Sequence, residues 1–249
     1  METISSRKNR HIQALRTLSA DSAARREQRL FVCDGIKMLR EALQFDAAVT
    51  AVYWRGKAEA IDLPESTEQF ILSDDLFDYA SPLKNSPGPL FTVSIRDTEM
   101  PDTLSCAMVL ENVQDPGNVG TVIRSASAFS VPAVILTGNC ADLYSPKTVR
   151  ASMGAIFRQT VLEIPVEELR DYLCEYRLPL YGAVLDPEAV DMRTVNLSEA
   201  AVAVGSEGRG LSPQLLACCE KKIIIPMDPR SESLNAAIAA SLIMWEMFP

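Results

Sequence analysis

Five polar side chains stand where this sequence suits chemistry: Asn118 and Arg124 in NVQDPGNVGTVIRSASAF, Glu207 in VGSEGRGLS, and Ser233 and Asn235 in IIIPMDPRSESLNAAIAA. The first segment follows the apolar run CAMVL, and its Pro116, Gly117 and Gly120 prescribe a tight connection in which Asn118 can cap a helix. On that helix Val122, Ile123, Ala126 and Phe129 form an apolar stripe and Arg124 falls to another side, free to enter a cleft at the carboxyl edge of a sheet. An arginine there can hold a phosphate bidentately or shape the field around a ribose hydroxyl; read from the residues alone, a surface ion-pair arginine fits equally well.

In the second segment Gly205, Gly208 and Gly210 permit positive backbone φ and close approach to main-chain atoms. The spacing is superficially that of a dinucleotide loop. Such a loop opens the first strand–helix unit and is followed by an acidic residue about twenty positions on, whereas this one comes near the end of the chain. In the third segment Asp228 and Pro229 break a buried strand, and a helix is expected from about Ser233. That helix is apolar nearly all round, with Leu234, Ile238, Leu242 and Trp245 on one side and Ala236, Ala240, Ile243 and Met247 on another, so domain packing plus a partner subunit are needed to bury it. Ser233 and Asn235 lie where free N–H groups and hydroxyls meet a ligand; capping accounts for Ser233 and less well for Asn235.

The elements that must position these residues follow from periodicity. Runs 106–110, 132–137, 159–164, 178–185, 199–205 and 222–227 are apolar on both faces and alternate with helical stretches beginning near 119, 145, 166 and 212, which describes a parallel sheet covered on both sides. Upstream, residues 6–45 read as helix, turn, helix, short strand and helix, with Ile12, Leu15 and Leu18 as one stripe and Ile36, Leu39 and Leu43 as another. Strands are expected at 47–54, 68–74 and 90–95, with 76–89 broken by prolines.

At 249 residues the chain has room for two modest domains, and nothing in its composition suggests disorder. No stretch is long enough to span a membrane and the start is too polar for a secretory signal, so a cytoplasmic protein is expected. The six cysteines include no CxxC pair and the sole histidine, His11, is expected at the surface, which leaves a metal site almost no ligands. A net charge of −9 opposes non-specific nucleic-acid binding by the whole chain. From Met1 to Glu41, however, Arg7, Lys8, Arg10, Arg16, Arg25, Arg26, Arg29, Lys37 and Arg40 outnumber Glu2, Asp21, Glu27, Asp34 and Glu41, giving a local basic patch or an ordinary solvated helix face.

Taken together and in this order, the three segments resemble the motifs of the SpoU/TrmH family, knotted RNA ribose 2′-O-methyltransferases of the SPOUT superfamily that use S-adenosylmethionine. Asn118 and Arg124 match the first motif, Gly205, Glu207 and Gly210 the second, and Pro226, Met227, Ser233, Leu234 and Asn235 the third. The residues from Asn9 to Leu43 more loosely resemble the substrate-binding domain of the family's rRNA-directed branch. The resemblance implies an α/β RNA-binding domain over 1–96, a linker over 97–104, and a parallel-sheet domain over 105–249 with a C-terminal trefoil knot. It implies a homodimer paired through the knotted domain. Cofactor-binding groups would be Gly205, Gly210, Ile225, Met227 and Leu234. Arg124 would fix a phosphate and stabilise alkoxide charge, with Asn118, Glu207, Ser233 and Asn235 orienting the reacting groups.

Ser130 stands where the family usually has glycine, Pro229 replaces another glycine and stiffens a loop expected to wrap the cofactor, and Ala236 and Ala237 stand where valine and serine are common. The implied substrate is ribosomal RNA. A tRNA substrate is the alternative within the class, against which the N-terminal domain weighs; a non-catalytic RNA-binding dimer is the alternative outside it. A nucleotide-binding oxidoreductase rests on the glycine loop alone.

Overall fold

A computed structural model describes residues 1–98, 101–228, 230 and 232–248, so the expected loop break at Pro229 lies outside the described residues. The chain forms two compact units, Met1–Asp97 with Asp142–Phe157, and Thr98–Ala141 with Arg158–Pro249.

The first unit runs β1 (Glu2–Ile4), α1 (Arg10–Ala20), α2 (Ser22–Gln28), β2 (Leu30–Asp34), α3 (Ile36–Gln44), β3 (Val49–Arg55), β4 (Glu68–Leu72), α4 (Asp74–Ala80) and β5 (Leu90–Ser94). Its mixed sheet has the order β1-β4-β3-β5-β2, with β5 antiparallel to both neighbours. Alternation assigns the faces. Val32, Ala51 and Tyr53 meet the Ile12–Leu15–Leu18 stripe of α1, whereas Phe31, Cys33, Val52 and Trp54 meet Met38, Leu39 and Ala42 of α3. Asn9 and Asp21 cap α1 and α2 by accepting from the first free N–H groups. His11, expected at the surface, is half-buried with its ring 4.3 Å from that of Phe70. The short β1 and α4 were not expected; α4 offers only seven residues of periodicity before the prolines, yet buries Leu76, Phe77 and Ala80.

The second unit continues with β6 (Ala107–Glu111), α5 (Pro116–Ala128) and β7 (Ala133–Thr137). The chain then makes an excursion through α6 (Pro146–Ala151) and a 3-10 turn at Ala155–Phe157 before β8 (Thr160–Glu163), α7 (Val166–Glu175), β9 (Leu180–Ala183), β10 (Val190–Asp191), β11 (Ala201–Val204), α8 (Pro213–Cys218), β12 (Lys221–Ile224) and α9 (Ala236–Met247). The seven strands are all parallel in the order β10-β12-β9-β11-β6-β7-β8. On one face Leu169, Tyr172 and Leu173 of α7 and Leu215 of α8 join the strand residues in one cluster. The helices α5 and α9 meet each other through Ser125 Oγ and Ser241 Oγ, 2.9 Å apart, and through an edge-on contact of Phe129 with Trp245.

The excursion differs from the division expected at residue 96, because Asp142–Phe157 packs within the first unit. Val149 joins the cluster of Phe31, Leu39 and Phe91, and Arg25, only 4% exposed, donates to Asp142 Oδ2 at 2.5 Å and to the Leu18 carbonyl. Arg25 therefore leaves the basic patch and serves as an internal tie. The charged residues of the first unit cancel, so the whole net charge of −9 resides on the second.

Candidate functional site

In the parallel sheet β6 continues to β7 on one side while β11 lies on its other side, so the strand order reverses at β6 and β11. Crevices open at the carboxyl ends of strands beside such a reversal. The loops after β6, β11 and β12 carry the three polar segments, and they converge there.

Three of the expected residues form one hydrogen-bonded cluster. Asn118 Nδ2 donates to Glu207 Oε1 at 3.0 Å, and Asn235 Nδ2 donates both to Glu207 Oε1 at 2.6 Å and to Asn118 Oδ1 at 3.1 Å. The main-chain N–H of Ala236 adds a third donor to the same Glu207 oxygen at 3.3 Å. Asn235 Oδ1 accepts from the N–H groups of Ala237 and Ile238, which fixes its amide orientation; the acceptor-only carboxylate then fixes that of Asn118. Asn235 is thereby saturated, while Glu207 Oε2 and the second N–H of Asn118 stay available to a ligand.

Two roles are exchanged relative to expectation. Asp115, not Asn118, caps α5, accepting from Asn118 N at 3.0 Å, because the helix begins three residues earlier, at Pro116. Asn235, not Ser233, caps α9, which begins at Ala236 rather than near Ser233. Asn235 thus combines capping with the site network. Ser233 makes no hydrogen bond among the described residues and is exposed at the cavity wall.

Two cavities share the loop after β11. One, about 440 Å³, is lined by Gly205, Gly210, Ile225, Met227 and Leu234, all five of the expected cofactor-binding residues, with Val184, Leu185, Leu211 and Ser233 among the others. The other, about 640 Å³, is lined by Asn112, Gln114, Asp115, Asn118, Asn139, Glu207 and Arg209. A Cβ on Gly205 would lie 2.2 Å from the carbonyl of Gly210, whose N–H bonds to the Ser206 carbonyl at 2.8 Å, so the loop folds back tightly only over glycine. Gly210 has φ +65°; Gly208 needs neither a positive φ nor close approach, contrary to expectation. The apolar wall and close main chain fit a folded cofactor of adenosyl size.

Arg124 lines neither cavity; it is exposed on α5 and has no hydrogen bond or ion pair among the described residues. Arg209, overlooked among the glycines, lines both. Glu111 was also overlooked: it is buried at the end of β6 and accepts from both N–H and Oγ of Ser212, clamping the far end of the loop to the sheet. Burial, reinforced by Cys218 and Glu111, pushes the nearby Cys219 thiol up to about 12. Beyond β12 the guanidinium of Arg230 holds Asp228 down at about 2. Among the described residues no group of three or more His, Cys, Asp or Glu could hold a metal ion.

Residues 105–245 match the model of the SpoU rRNA Methylase family. The 23S rRNA (guanosine(2553)-2′-O)-methyltransferase RlmP of Bacillus subtilis is 27% identical, covering 99% of each chain. The structure of the SpoU methyltransferase AviRb from Streptomyces viridochromogenes in complex with the cofactor AdoMet superposes with a TM-score of 0.86 at 25% identity, covering 97% of each chain. A structure described for 2-OH methylation of C/U34 on tRNA, 25% identical with a TM-score of 0.52, covers 93% of its own chain and 57% of this one.

Proposed function

Because this chain belongs to the SpoU rRNA methylase family, we propose that it transfers a methyl group from S-adenosylmethionine to the 2′-hydroxyl of a ribose in ribosomal RNA. The observation that carries the proposal is the Asn118–Glu207–Asn235 cluster on the loops between an apolar, glycine-floored cavity and an amide-lined one. The cofactor, when bound, supplies a methyl activated by its positive sulfur. The chain's own part is to aim the hydroxyl at it, since in-line attack gains most of its rate from positioning. Glu207 Oε2 accepts the hydroxyl's hydrogen bond, directs an oxygen lone pair and takes the proton that the oxygen loses on methylation, while Oε1 is held by three donors that keep the carboxylate still. Arg124 fixes the neighbouring phosphate and stabilises alkoxide charge, Ser233 completes the polar rim, and Gly205, Gly210, Ile225, Met227 and Leu234 hold the cofactor.

Full-length likeness to a ribosomal RNA enzyme, against 57% coverage by the tRNA-linked structure, favours ribosomal RNA and supports reading the unit around β1–β5 as substrate-binding. In this reading 1–96 binds RNA, 97–104 links, and 105–249 carries the reaction. The order β12-β9-β11, in which two late strands flank an earlier one, supports the trefoil knot. A homodimer accounts for α9, whose Ile238, Leu242 and Trp245 are 54%, 40% and 62% exposed on one side. No helix among the described residues is long and apolar enough to cross a membrane; residence in the cytoplasm is part of the proposal.

The test is a map of ribose methylation in total RNA from cells with and without the gene, and from cells carrying Arg124→Ala. One ribosomal position that is lost in both establishes the substrate and the role of Arg124. An unchanged map, with purified protein that binds no cofactor, leaves a non-catalytic RNA-binding dimer.

A further inference from the structure

We propose that the 640 Å³ cavity is the pocket for the target nucleotide, that Arg209 adds to Arg124 a second grip on the phosphate next to the reacting ribose, and that Gln114 and Asn139 read the base. The proposal rests on the methyl-transfer reading and names the substrate contacts of that site.

Among the described residues Arg209 is the only cation lining either cavity, in a unit that carries the whole net charge of −9. An RNA chain approaching this unit meets repulsion overall, so a cation at the mouth decides where a phosphate can rest. Each of the two carboxylates lining the same cavity has an oxygen engaged: Asp115 Oδ1 caps α5, and Glu207 Oε1 holds the site cluster. Arg209, by contrast, is exposed and has no hydrogen bond or ion pair among the described residues. It sits two residues from Glu207 on a loop closed by the Gly210–Ser206 hydrogen bond, so its reach is set relative to the carboxylate that orients the hydroxyl. A ribose 2′-hydroxyl and its 3′-phosphate are on adjacent carbons, and a bidentate guanidinium on the phosphate constrains the hydroxyl. The rest of the wall is amide. Asn112 spends Oδ1 on the Asn139 N–H, but the side chains of Gln114 and Asn139 are exposed and have no partner among the described residues, able to donate to and accept from an unstacked base.

The competing anion is the cofactor's carboxylate, because Arg209 also lines the smaller cavity. Binding of a fluorescein-labelled oligouridylate across a salt series separates the two. For Arg209→Gln the slope of log affinity against log salt falls by about 0.7, one single-strand phosphate contact, and calorimetric affinity for S-adenosylmethionine is unchanged. On a ribosomal RNA transcript carrying the mapped nucleotide, its KM rises by about tenfold, more than kcat falls, and Arg209→Lys recovers part of the loss. Weakened cofactor binding with an unchanged salt slope, or no change in either, overturns the phosphate grip. Transcripts with each of the four bases at the target position test the amides: Gln114→Ala and Asn139→Ala relax the wild-type preference, and an unaltered preference overturns base reading. A wild-type protein that methylates no RNA defeats the methyl-transfer reading, while the oligouridylate slope still judges Arg209.

Discussion

Asn235 reaches Glu207 across 28 residues of sequence, with its amide nitrogen 2.6 Å from Oε1, and the same oxygen draws in Asn118 and the first N–H of α9. Glutamine at 207 can present an oxygen to all three donors but has no carboxylate for the hydroxyl. Glu207→Gln should therefore melt within about 0.5 kcal/mol of wild type and bind S-adenosylmethionine normally, while turnover falls by about a hundredfold. Glu207→Ala also loses the shared acceptor and should cost about 1–2 kcal/mol in denaturant unfolding. Wild-type turnover in Glu207→Gln would remove the carboxylate from the mechanism.

The two glycines on either side of Glu207 should behave oppositely. At Gly205 an added methyl meets the Gly210 carbonyl at 2.2 Å, whereas at Gly208 nothing lies within 4 Å. Gly205→Ala must displace the loop, with a stability loss of about 1–3 kcal/mol and at least a roughly tenfold weaker hold on the cofactor by calorimetry. Gly208→Ala should change neither measurement. Equal effects from both would show that the fold-back does not shape the cofactor cavity.

Thiol reactivity should sort by burial. Cys174 is exposed, whereas burial raises Cys33, and it raises Cys219 to about 12. At pH 8 a disulfide reagent should label Cys174 within minutes, the half-buried Cys219 far more slowly, and Cys33 only as the chain unfolds. A thiol whose folded pKa is raised contributes stability that is complete below its unfolded pKa, about 8.5, and is lost as pH rises through the folded value. For Cys219 that window runs from about 8.5 up to about 12, so midpoint denaturant concentration should fall through it, and by less in Cys219→Ala. Rapid labelling of Cys219 in the folded chain would contradict its burial.

Much of the catalytic unit was legible because its strands are apolar on both faces and each is followed by a distinct turn; the six runs from Cys106 to Met227 all contain strands of the sheet. The two residues of β10 carry no period to read. The placement of Asp142–Phe157 was illegible for another reason: its partners, Arg25 and Phe31, lie over a hundred residues away, and local pattern holds no record of such contacts. Type and order point to Asn118, Glu207 and Asn235, which the structure brings together, but not to the residues that cap the two helices. Asp115 and Asn118 are both good caps three residues apart, and only the helix start decides between them. Arg209 carries no signal of its own in the sequence, because the surrounding glycines account for the loop without it.

Arg124, expected to fix a phosphate and stabilise alkoxide charge, lines neither cavity. It lies on α5, which packs against α9 through Ser125 and Ser241, and α9 turns Ile238, Leu242 and Trp245 outward. In the proposed homodimer on that apolar face, α5 of one subunit is expected beside the loops of the other, and each site then uses Arg124 of the partner subunit. Trp245→Glu should then yield a monomer by light scattering and abolish turnover without unfolding the chain, since Trp245 is 62% exposed. Arg124→Ala should keep its stability and cofactor affinity while turnover falls by about a hundredfold to a thousandfold. Mixing Arg124→Ala with Glu207→Ala subunits decides the geometry. Shared sites give mixed dimers with one complete site, and activity returns to about a quarter of wild type after exchange, from one working site in half of the dimers. Sites built within single subunits leave every site in the mixture defective, and activity stays at the level of the two variants measured separately.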